Sequence, residues 1–113
     1  TEIYTLSLHD ALPIWHAPVT VRIEVEAETL AQVDAALAAG ADIIMLDNMD
    51  PDAMRQAAAR VAGRAKLEAS GRVTLEELPR VAAAGVDYIS TSAVITRARW
   101  LDIGLDFVAE EAR

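Results

Sequence analysis

The sequence predicts an α/β fold built from repeated parallel strand–helix units. Apolar strand-like runs alternate with helical periodicities, and the glycines that would end the helices recur 23 and 22 residues apart. A strand–helix unit that repeats at a fixed interval predicts a parallel sheet with right-handed crossovers. At this level a (β/α) barrel and an open doubly wound sheet both fit the 113 residues.

Four segments have strand character. Residues 21–26 alternate apolar and polar side chains, as a half-buried strand does. Residues 41–46 form a largely apolar run, which is typical of a buried parallel strand. Residues 65–69 and 86–90 are weaker candidates. The predicted sheet is built from these four strands.

Three helices are predicted between the strands, each from apolar residues that share one helical face. These sets are Leu30, Val33 and Leu37; Met54, Ala58 and Val61; and Leu75, Leu78 and Val81. Capping boxes and a proline at the first helical position mark the starts, at Thr29–Gln32, Thr74–Glu77 and Asp50–Pro51. Gly40, Gly63 and Gly85 mark the ends, because a left-handed C-cap favours glycine. Pro79 lies deep in the third helix and conflicts with its predicted start.

Composition restricts the class of partner. The net charge is −8, with one lysine and nine scattered arginines, which argues against nucleic acid and anionic membranes as partners. No apolar run approaches the roughly 20 residues of a membrane span. There is no cysteine, so thiolate metal sites are excluded and a reducing, cytoplasmic location fits. Hydrophobic residues make up 53%, but many are alanines that bury little area, so a missing part or a partner is expected.

The first fifteen residues differ in character from the rest. They read TEIYTLSLHDALPIW, without an initiator methionine, a basic signal-peptide start or a clear structural period. They resemble a translated sequencing adapter. Residues 1–15 are therefore predicted to be a non-native segment that contributes little to the core, and residues 16–113 to be the domain.

Polar residues follow the predicted strands at nearly the same interval. Glu26, Asp47, Ser70 and Ser92 are 21, 23 and 22 residues apart. In parallel α/β folds all such strand ends lie at one edge, where active sites form. Carboxylates suit a hard cation such as Mg²⁺ or ribose hydroxyls, and small glycine-containing loops expose N–H groups that can bind phosphate.

A combination of motifs then indicates a family. The segment IEVEAETLAQVDAALAAGADIIMLDNM resembles the quinolinate phosphoribosyltransferase family, as do LEASG, GVDYIS and LDIGLDF, in the family's order and near its spacing from about residue 16 to 107. Each motif alone is weak, whereas their combination is specific. The chain is therefore identified as the C-terminal part of such a protein.

The resemblance implies both a fold and an activity. The family converts quinolinate and phosphoribosyl pyrophosphate to nicotinate mononucleotide, CO₂ and pyrophosphate with Mg²⁺, in NAD biosynthesis. It has an incomplete TIM-like α/β barrel after an N-terminal domain, and it works as a homodimer. The cationic residues that hold quinolinate lie upstream of the part present here, so the chain alone is expected to be inactive.

The resemblance also carries over individual residues. Glu26 and Asp47 match the family's catalytic carboxylates, which face the phosphoribosyl substrate and could hold Mg²⁺. A phosphate-binding role carries over to two loops, formed by Ser70, Gly71 and Arg72 and by Thr91, Ser92 and Ala93. Four positions depart from the family pattern: Arg72 replaces a glycine, Thr91–Ser92 replaces Val–Gly, and Thr96 replaces a histidine. Arg72 or Arg97 could supply the lost cation, because guanidinium binds phosphate through two hydrogen bonds.

Two alternatives remain at this stage. One is a paralogue, the pyrophosphorylase-like protein associated with molybdenum transport, which the altered phosphate loops keep open. The other is an α/β fragment without catalytic function.

Overall fold

The computed structural model describes residues 3–6, 18–99 and 101–105. Five parallel strands and four helices alternate along them after the first strand. The strands are β1 (Ile3–Leu6), β2 (Arg22–Ala27), β3 (Ile43–Asp47), β4 (Lys66–Ser70) and β5 (Tyr88–Ile89). The helices are α1 (Leu30–Ala39), α2 (Pro51–Val61), α3 (Leu78–Ala82) and α4 (Ala93–Thr96). The four predicted strands are thus present, each within two residues of its predicted bounds.

The order of the strands separates the two sheet architectures that the sequence left open. The strands lie side by side in the order β1-β2-β3-β4-β5, which is their order along the chain. A doubly wound sheet reverses its order at a switch point, whereas a barrel adds each strand beside the preceding one. The sheet is therefore a sector of an incomplete TIM-like barrel, as the family resemblance implies.

The core lies on one face of this sheet. Alternate strand residues, among them Val25, Ile44 and Leu67, join the buried cluster together with residues of the three longer helices. The helical members are Val33, Ala36, Met54, Ala57, Val61 and Val81. The residues between them point to the other face because side chains alternate along a strand. That second face carries Glu24, Glu26 and Glu68, and it corresponds to the interior of a barrel.

The first two helices begin as the sequence predicts and the first also ends as predicted, whereas α2 ends at a left-handed Ala62, one residue before the predicted Gly63. The Thr29 hydroxyl accepts a hydrogen bond from Gln32 N at 3.3 Å, and the Gln32 side chain accepts one from Thr29 N at 3.0 Å, which completes the capping box. The Asp50 carboxylate accepts hydrogen bonds from Asp52 N and Ala53 N, in the first turn of α2, at 2.9 and 2.8 Å. Gly40 ends α1 in the left-handed conformation, with φ 84°.

The third helix is shorter than predicted. It begins at Leu78, and Leu75, which was predicted to be part of its buried face, is 75% exposed. Pro79 explains the difference: a proline fits only the first turn of a helix, so the helix cannot start a full turn earlier. The Glu77 carboxylate still accepts bonds from Thr74 N and Oγ1 at 3.0 and 2.9 Å, and these bonds close the turn before the helix.

Two aspartates fix the start of adjacent strands. The Asp42 carboxylate accepts a hydrogen bond from Ile23 N at 2.8 Å, and Asp42 N donates to Ile23 O at 2.9 Å. Asp87 repeats the arrangement on Leu67, with 2.9 Å from Leu67 N to the carboxylate and 2.8 Å from Asp87 N to Leu67 O. Each aspartate lies two residues after a glycine with a left-handed backbone, Gly40 or Gly85. Both therefore stabilise the amino end of the sheet, opposite the predicted site.

The N-terminal strand was not predicted. The backbone of Ile3–Leu6 pairs in parallel with β2, with Ile3 opposite Arg22. The remainder of residues 1–15 lies outside the described residues. The assignment of residues 1–15 to a non-native segment stays a prediction.

Among the described residues, no helix is both long enough and apolar enough to cross a bilayer.

The Asp87 interaction predicts a pH-dependent stability. Its pKa lies below the ordinary value of 3.8, first because Lys66 donates a hydrogen bond to it and then because Leu67 N does. Ionised Asp87 therefore stabilises the fold above the unfolded-state pKa, and this stabilisation is lost as the pH falls through the lower folded-state pKa. In urea unfolding followed by circular dichroism, Asp87→Asn should lower the free energy of unfolding at pH 7 and cost less at pH 3.

The matched control is Asp34→Asn, which weakens an exposed ion pair between Asp34 and Arg60. It should have little effect at either pH, because exposed pairs contribute only about 0–1 kcal/mol. A cost of Asp87→Asn that is equal at pH 7 and pH 3 would contradict the role of the ionised carboxylate.

Candidate functional site

The predicted site residues lie at the carboxyl ends of the strands. Glu26 is the penultimate residue of β2, Asp47 ends β3, and Ser70 ends β4. Asp47 and Ser70 are register partners on adjacent strands. Ser92 follows the end of β5 by three residues and precedes α4. Because all strands run in one direction, these residues occupy one edge of the sheet, as predicted.

Three carboxylates converge at this edge and form the acidic cluster: Glu26, Glu28 and Asp47. One ligand oxygen from each lies within 4.8 Å of the others. Glu26 and Glu28 are exposed, and Asp47 is half-buried. Hard oxygen ligands at this separation suit a divalent cation such as Mg²⁺.

Glu28 was not among the predicted site residues. Its sequence signal was present, because Glu24, Glu26 and Glu28 alternate along β2 and its continuation. The strand pattern ends at Ala27, and Glu28 N donates to the Gln32 side chain at 2.8 Å as part of the α1 cap. The helix cap thus holds the Glu28 backbone at the strand end. Glu24, by contrast, is buried one step below the edge, as expected for a structural residue.

Asn48 connects the acidic cluster to the next loop. Its backbone is left-handed, with φ 51°, and its N–H donates to Ser70 O at 3.1 Å. Its side-chain Nδ2 donates to the Asp47 carboxylate at 3.0 Å. Its Oδ1 lies 3.4 Å from Arg72 N, which donates to it.

Gly71 lies directly against Asn48. A Cβ atom at position 71 would lie 2.5 Å from Asn48 Oδ1 and 3.0 Å from Asn48 N, and the φ of Gly71 is +109°. Both the space and the backbone conformation therefore require glycine here. The loop formed by Ser70, Gly71 and Arg72 consequently packs tightly against the end of β3.

Two loops predicted to bind phosphate are tied together by Thr91. Its hydroxyl donates to Val73 O at 2.6 Å and accepts from Ala93 N at 3.1 Å. The Thr91 hydroxyl is thus used within the protein, and a ligand role for this residue would fall to its backbone. An open cleft of about 680 Å³ lies between the loops and is lined by Asn48, Ser70, Gly71, Arg72, Ser90, Thr91, Ser92 and Ile95.

Two arginines, Arg72 and Arg97, supply positive charge in this region. Both line a smaller cavity of about 100 Å³ that adjoins the same loops, together with Ala93 and Thr96. The pKa of Glu77 lies below its ordinary value, first because the Thr74 N–H and hydroxyl donate to it and then because Arg80 and, less, Arg97 lie nearby. The edge therefore has an acidic half on β2 and β3 and a half with two arginines on the loops after β4 and β5.

Comparison with known proteins identifies relatives of this chain. The family described as quinolinate phosphoribosyl transferase, C-terminal domain, matches residues 11–106. A Bacillus subtilis protein named probable nicotinate-nucleotide pyrophosphorylase (carboxylating) is 48% identical over 86 residues, which are 76% of this chain and 30% of that protein. A Synechocystis protein of the same name is 45% identical over 94 residues, 80% of this chain and 32% of that protein.

A solved structure agrees with the sequence comparison. The nicotinate-nucleotide pyrophosphorylase from Francisella tularensis superposes with a TM-score of 0.77 and 29% identity, covering 89% of this chain and 39% of that one. The chain thus spans about a third of the length of the curated relatives it matches.

The contact between Gly71 and Asn48 generates a stability prediction. Gly71→Ala should destabilise the 113-residue chain more than Gly63→Ala, because Gly63 has a similar left-handed φ of +77° but open space around its Cβ direction. Gly63→Ala should cost about 1 kcal/mol from backbone strain alone. Gly71→Ala should cost a further 1–3 kcal/mol or so from overpacking. Urea unfolding measures both, and equal costs would contradict the tight loop packing.

Proposed function

Because the chain belongs to the quinolinate phosphoribosyl transferase family, in which it matches the C-terminal domain, we propose that it is part of an enzyme of de novo NAD biosynthesis. That enzyme would convert quinolinate and phosphoribosyl pyrophosphate to nicotinate mononucleotide, CO₂ and pyrophosphate. The observation that carries the proposal is the convergence of Glu26, Glu28 and Asp47 beside two small loops at one sheet edge.

The two halves of this edge match the two parts of a phosphoribosyl donor. The acidic cluster suits ribose hydroxyls and the positive charge that develops on the ribosyl group. The loops around Gly71 and Ser92 present small residues and backbone N–H groups, which suit phosphate oxygens. Arg72 and Arg97 add the guanidinium groups that phosphate prefers. We assign phosphate binding to Ser70, Gly71 and Arg72 and to the backbone of Thr91, Ser92 and Ala93.

The acidic cluster also fits Mg²⁺ as a cofactor. Mg²⁺ takes oxygen ligands and is commonly bound through one or two carboxylates together with substrate phosphates. Glu26 and Asp47 would hold it, with Glu28 as a third ligand within the 4.8 Å cluster. When bound, Mg²⁺ would neutralise part of the charge on the pyrophosphate of the donor.

The residues of this chain would act mainly through their charge. The reaction breaks the bond between ribose C1′ and the pyrophosphate oxygen, and the electron pair leaves with pyrophosphate. Positive charge then develops on the ribosyl centre, which Glu26 and Asp47 stabilise. The lone pair of the pyridine nitrogen forms the new bond to C1′. The adduct then loses CO₂ from C2 of the ring, and the electron pair left on C2 takes up a proton from solvent.

Quinolinate would need further cations. Quinolinate carries two carboxylates, whereas the described edge offers three carboxylates and, on the loops, two arginines. A dianion is not held beside such a cluster without several convergent positive charges. We therefore place the quinolinate-binding cations in the two thirds of the relatives that this chain does not span. A homodimer and a cytoplasmic location are part of the same proposal.

A chimera would test the proposed role of Asp47. In it, the 86 aligned residues of this chain replace the matching segment of the Bacillus subtilis relative. Asp47→Asn should lower kcat by about 10²-fold, because it removes charge that acts mainly in the transition state. The free energy of unfolding should change little, because a half-buried edge carboxylate contributes little to folding. Steady-state formation of nicotinate mononucleotide and urea unfolding measure the two effects.

The control is Asp34→Asn, which alters an exposed carboxylate on the outer surface of α1. It should leave the kinetics unchanged. Unaltered turnover in Asp47→Asn, or an Asp47→Asn chimera that loses activity only in proportion to its folded fraction, would overturn the catalytic role and favour a structural one.

A further inference from the structure

Asn48 has a left-handed backbone conformation, which by itself would favour glycine rather than asparagine. Its φ of 51° lies in the left-handed region, and among the described residues the other non-glycine with positive φ is Ala62, at 49°. Asparagine tolerates this region better than most residues, but glycine adopts it without strain. A turn alone would therefore be satisfied by glycine. The reason for an asparagine at this position must therefore lie in the contacts that its side chain makes.

Those contacts determine which way the amide points. The Asp47 carboxylate can only accept and lies 3.0 Å from Nδ2, whereas Arg72 N can only donate and lies 3.4 Å from Oδ1. Exchanging the oxygen and nitrogen of the amide would make both contacts repulsive. The two neighbours therefore select one orientation, with the NH₂ group on the carboxylate.

The same side chain is confined on its other side. Gly71 leaves no room for a Cβ atom, since that atom would lie 2.5 Å from Asn48 Oδ1 and 2.8 Å from Cγ. Asn48 N is also bonded to Ser70 O at 3.1 Å. The amide is thus held between the end of β3 and the loop after β4, and it cannot rotate without losing its contact to Asp47.

We propose that Asn48 is a positioning residue for phosphoribosyl transfer, which orients the Asp47 carboxylate toward Glu26 and Glu28 and fixes its distance from the Arg72 loop. The inference rests on the proposed function, since it acts through Asp47. Gly71 contributes to the same arrangement, because only glycine at position 71 leaves room for the Asn48 side-chain amide.

Replacement by glycine separates this role from the turn. Asn48→Gly keeps the left-handed backbone without strain but removes the amide, and Ala62→Gly relieves the same strain at the end of α2, away from the edge. In the chimera, both variants should keep or raise the thermal midpoint. Asn48→Gly should lower kcat/KM for phosphoribosyl pyrophosphate by about 10-fold, the usual loss when a carboxylate ligand loses its orienting partner. Ala62→Gly should not change it.

Two further variants test whether Asn48 acts through Asp47. Asn48→Asp keeps the shape and the oxygen toward Arg72 N but places a second carboxylate against Asp47, so it should lose more kcat/KM than Asn48→Gly. Combined with Asp47→Asn, Asn48→Gly should add no further loss, because the carboxylate that it orients is then absent. Full kcat/KM in Asn48→Gly, or losses that multiply in the double variant, would overturn the positioning role.

A readout without turnover separates this inference from the proposed function. In the 113-residue chain, the resonances of the Asn48 side-chain amide should shift in nuclear magnetic resonance spectra of Asp47→Asn, because the Asp47 carboxylate accepts the hydrogen bond from Nδ2. If the amide is free in solution, the positioning role is wrong whatever the activity. If the amide is held and Asp47→Asn lowers turnover while Asn48→Gly does not, only the positioning role fails. If the chimera's turnover is unaffected by Asp47→Asn, both the positioning role of Asn48 and the proposed function fail.

Discussion

Because all strands run in one direction, the structural carboxylates and the proposed catalytic carboxylates lie at opposite edges of the sheet. Asp42 and Asp87 fix the amino ends of the strands, each with a carboxylate and a backbone N–H on the same residue of the preceding strand. With the amino ends aligned in this way, the carboxyl ends of β2, β3 and β4 lie level at the opposite edge. The structural carboxylates and the proposed catalytic ones are therefore separated by the length of a strand, and they serve different purposes.

A one-sided core accompanies this arrangement. The helices cover one face of the sheet through small residues such as Ala36 and Ala57, which let helix and sheet approach closely. The other face is acidic, and β5 is only two residues long. Large apolar side chains also remain exposed in the described part of the chain, among them Val94, Ile95, Leu101, Ile103 and Leu105. These surfaces are what an incomplete barrel leaves uncovered, which agrees with a chain that spans a third of its relatives.

The sequence was informative where a local rule decides the structure. The caps at Thr29 and Asp50 and the ending of α1 at Gly40 depend on residues within a few positions, and they were predicted correctly. The apolar spacing predicted that Leu75 lies on the buried face of α3, but Pro79 must lie in the first turn of the helix, so the helix begins after Leu75. The strand at Ile3–Leu6 was missed because its pairing with β2 leaves no local signal.

The site shows the same division. Glu26, Asp47 and Ser70 could be placed at one edge from the interval between strands alone. The roles of Glu28 and Asn48 could not, because they depend on side-chain contacts between segments that lie apart in the sequence, such as the approach of Gly71 to Asn48. Thr91 was assigned to phosphate, but its hydroxyl is occupied by Val73 and Ala93, a contact that spacing cannot reveal.

We propose that this chain supplies the carboxylate and phosphate-loop part of a phosphoribosyl transfer site and that the quinolinate-binding cations come from elsewhere in the full protein. Calorimetric titration with quinolinate, performed on the 113-residue chain and on the chimera, tests it most directly. We expect no measurable binding of quinolinate and no nicotinate mononucleotide formation by the chain alone, and we expect both in the chimera. Micromolar binding of quinolinate by the chain alone, or turnover above a protein-free control, would contradict it.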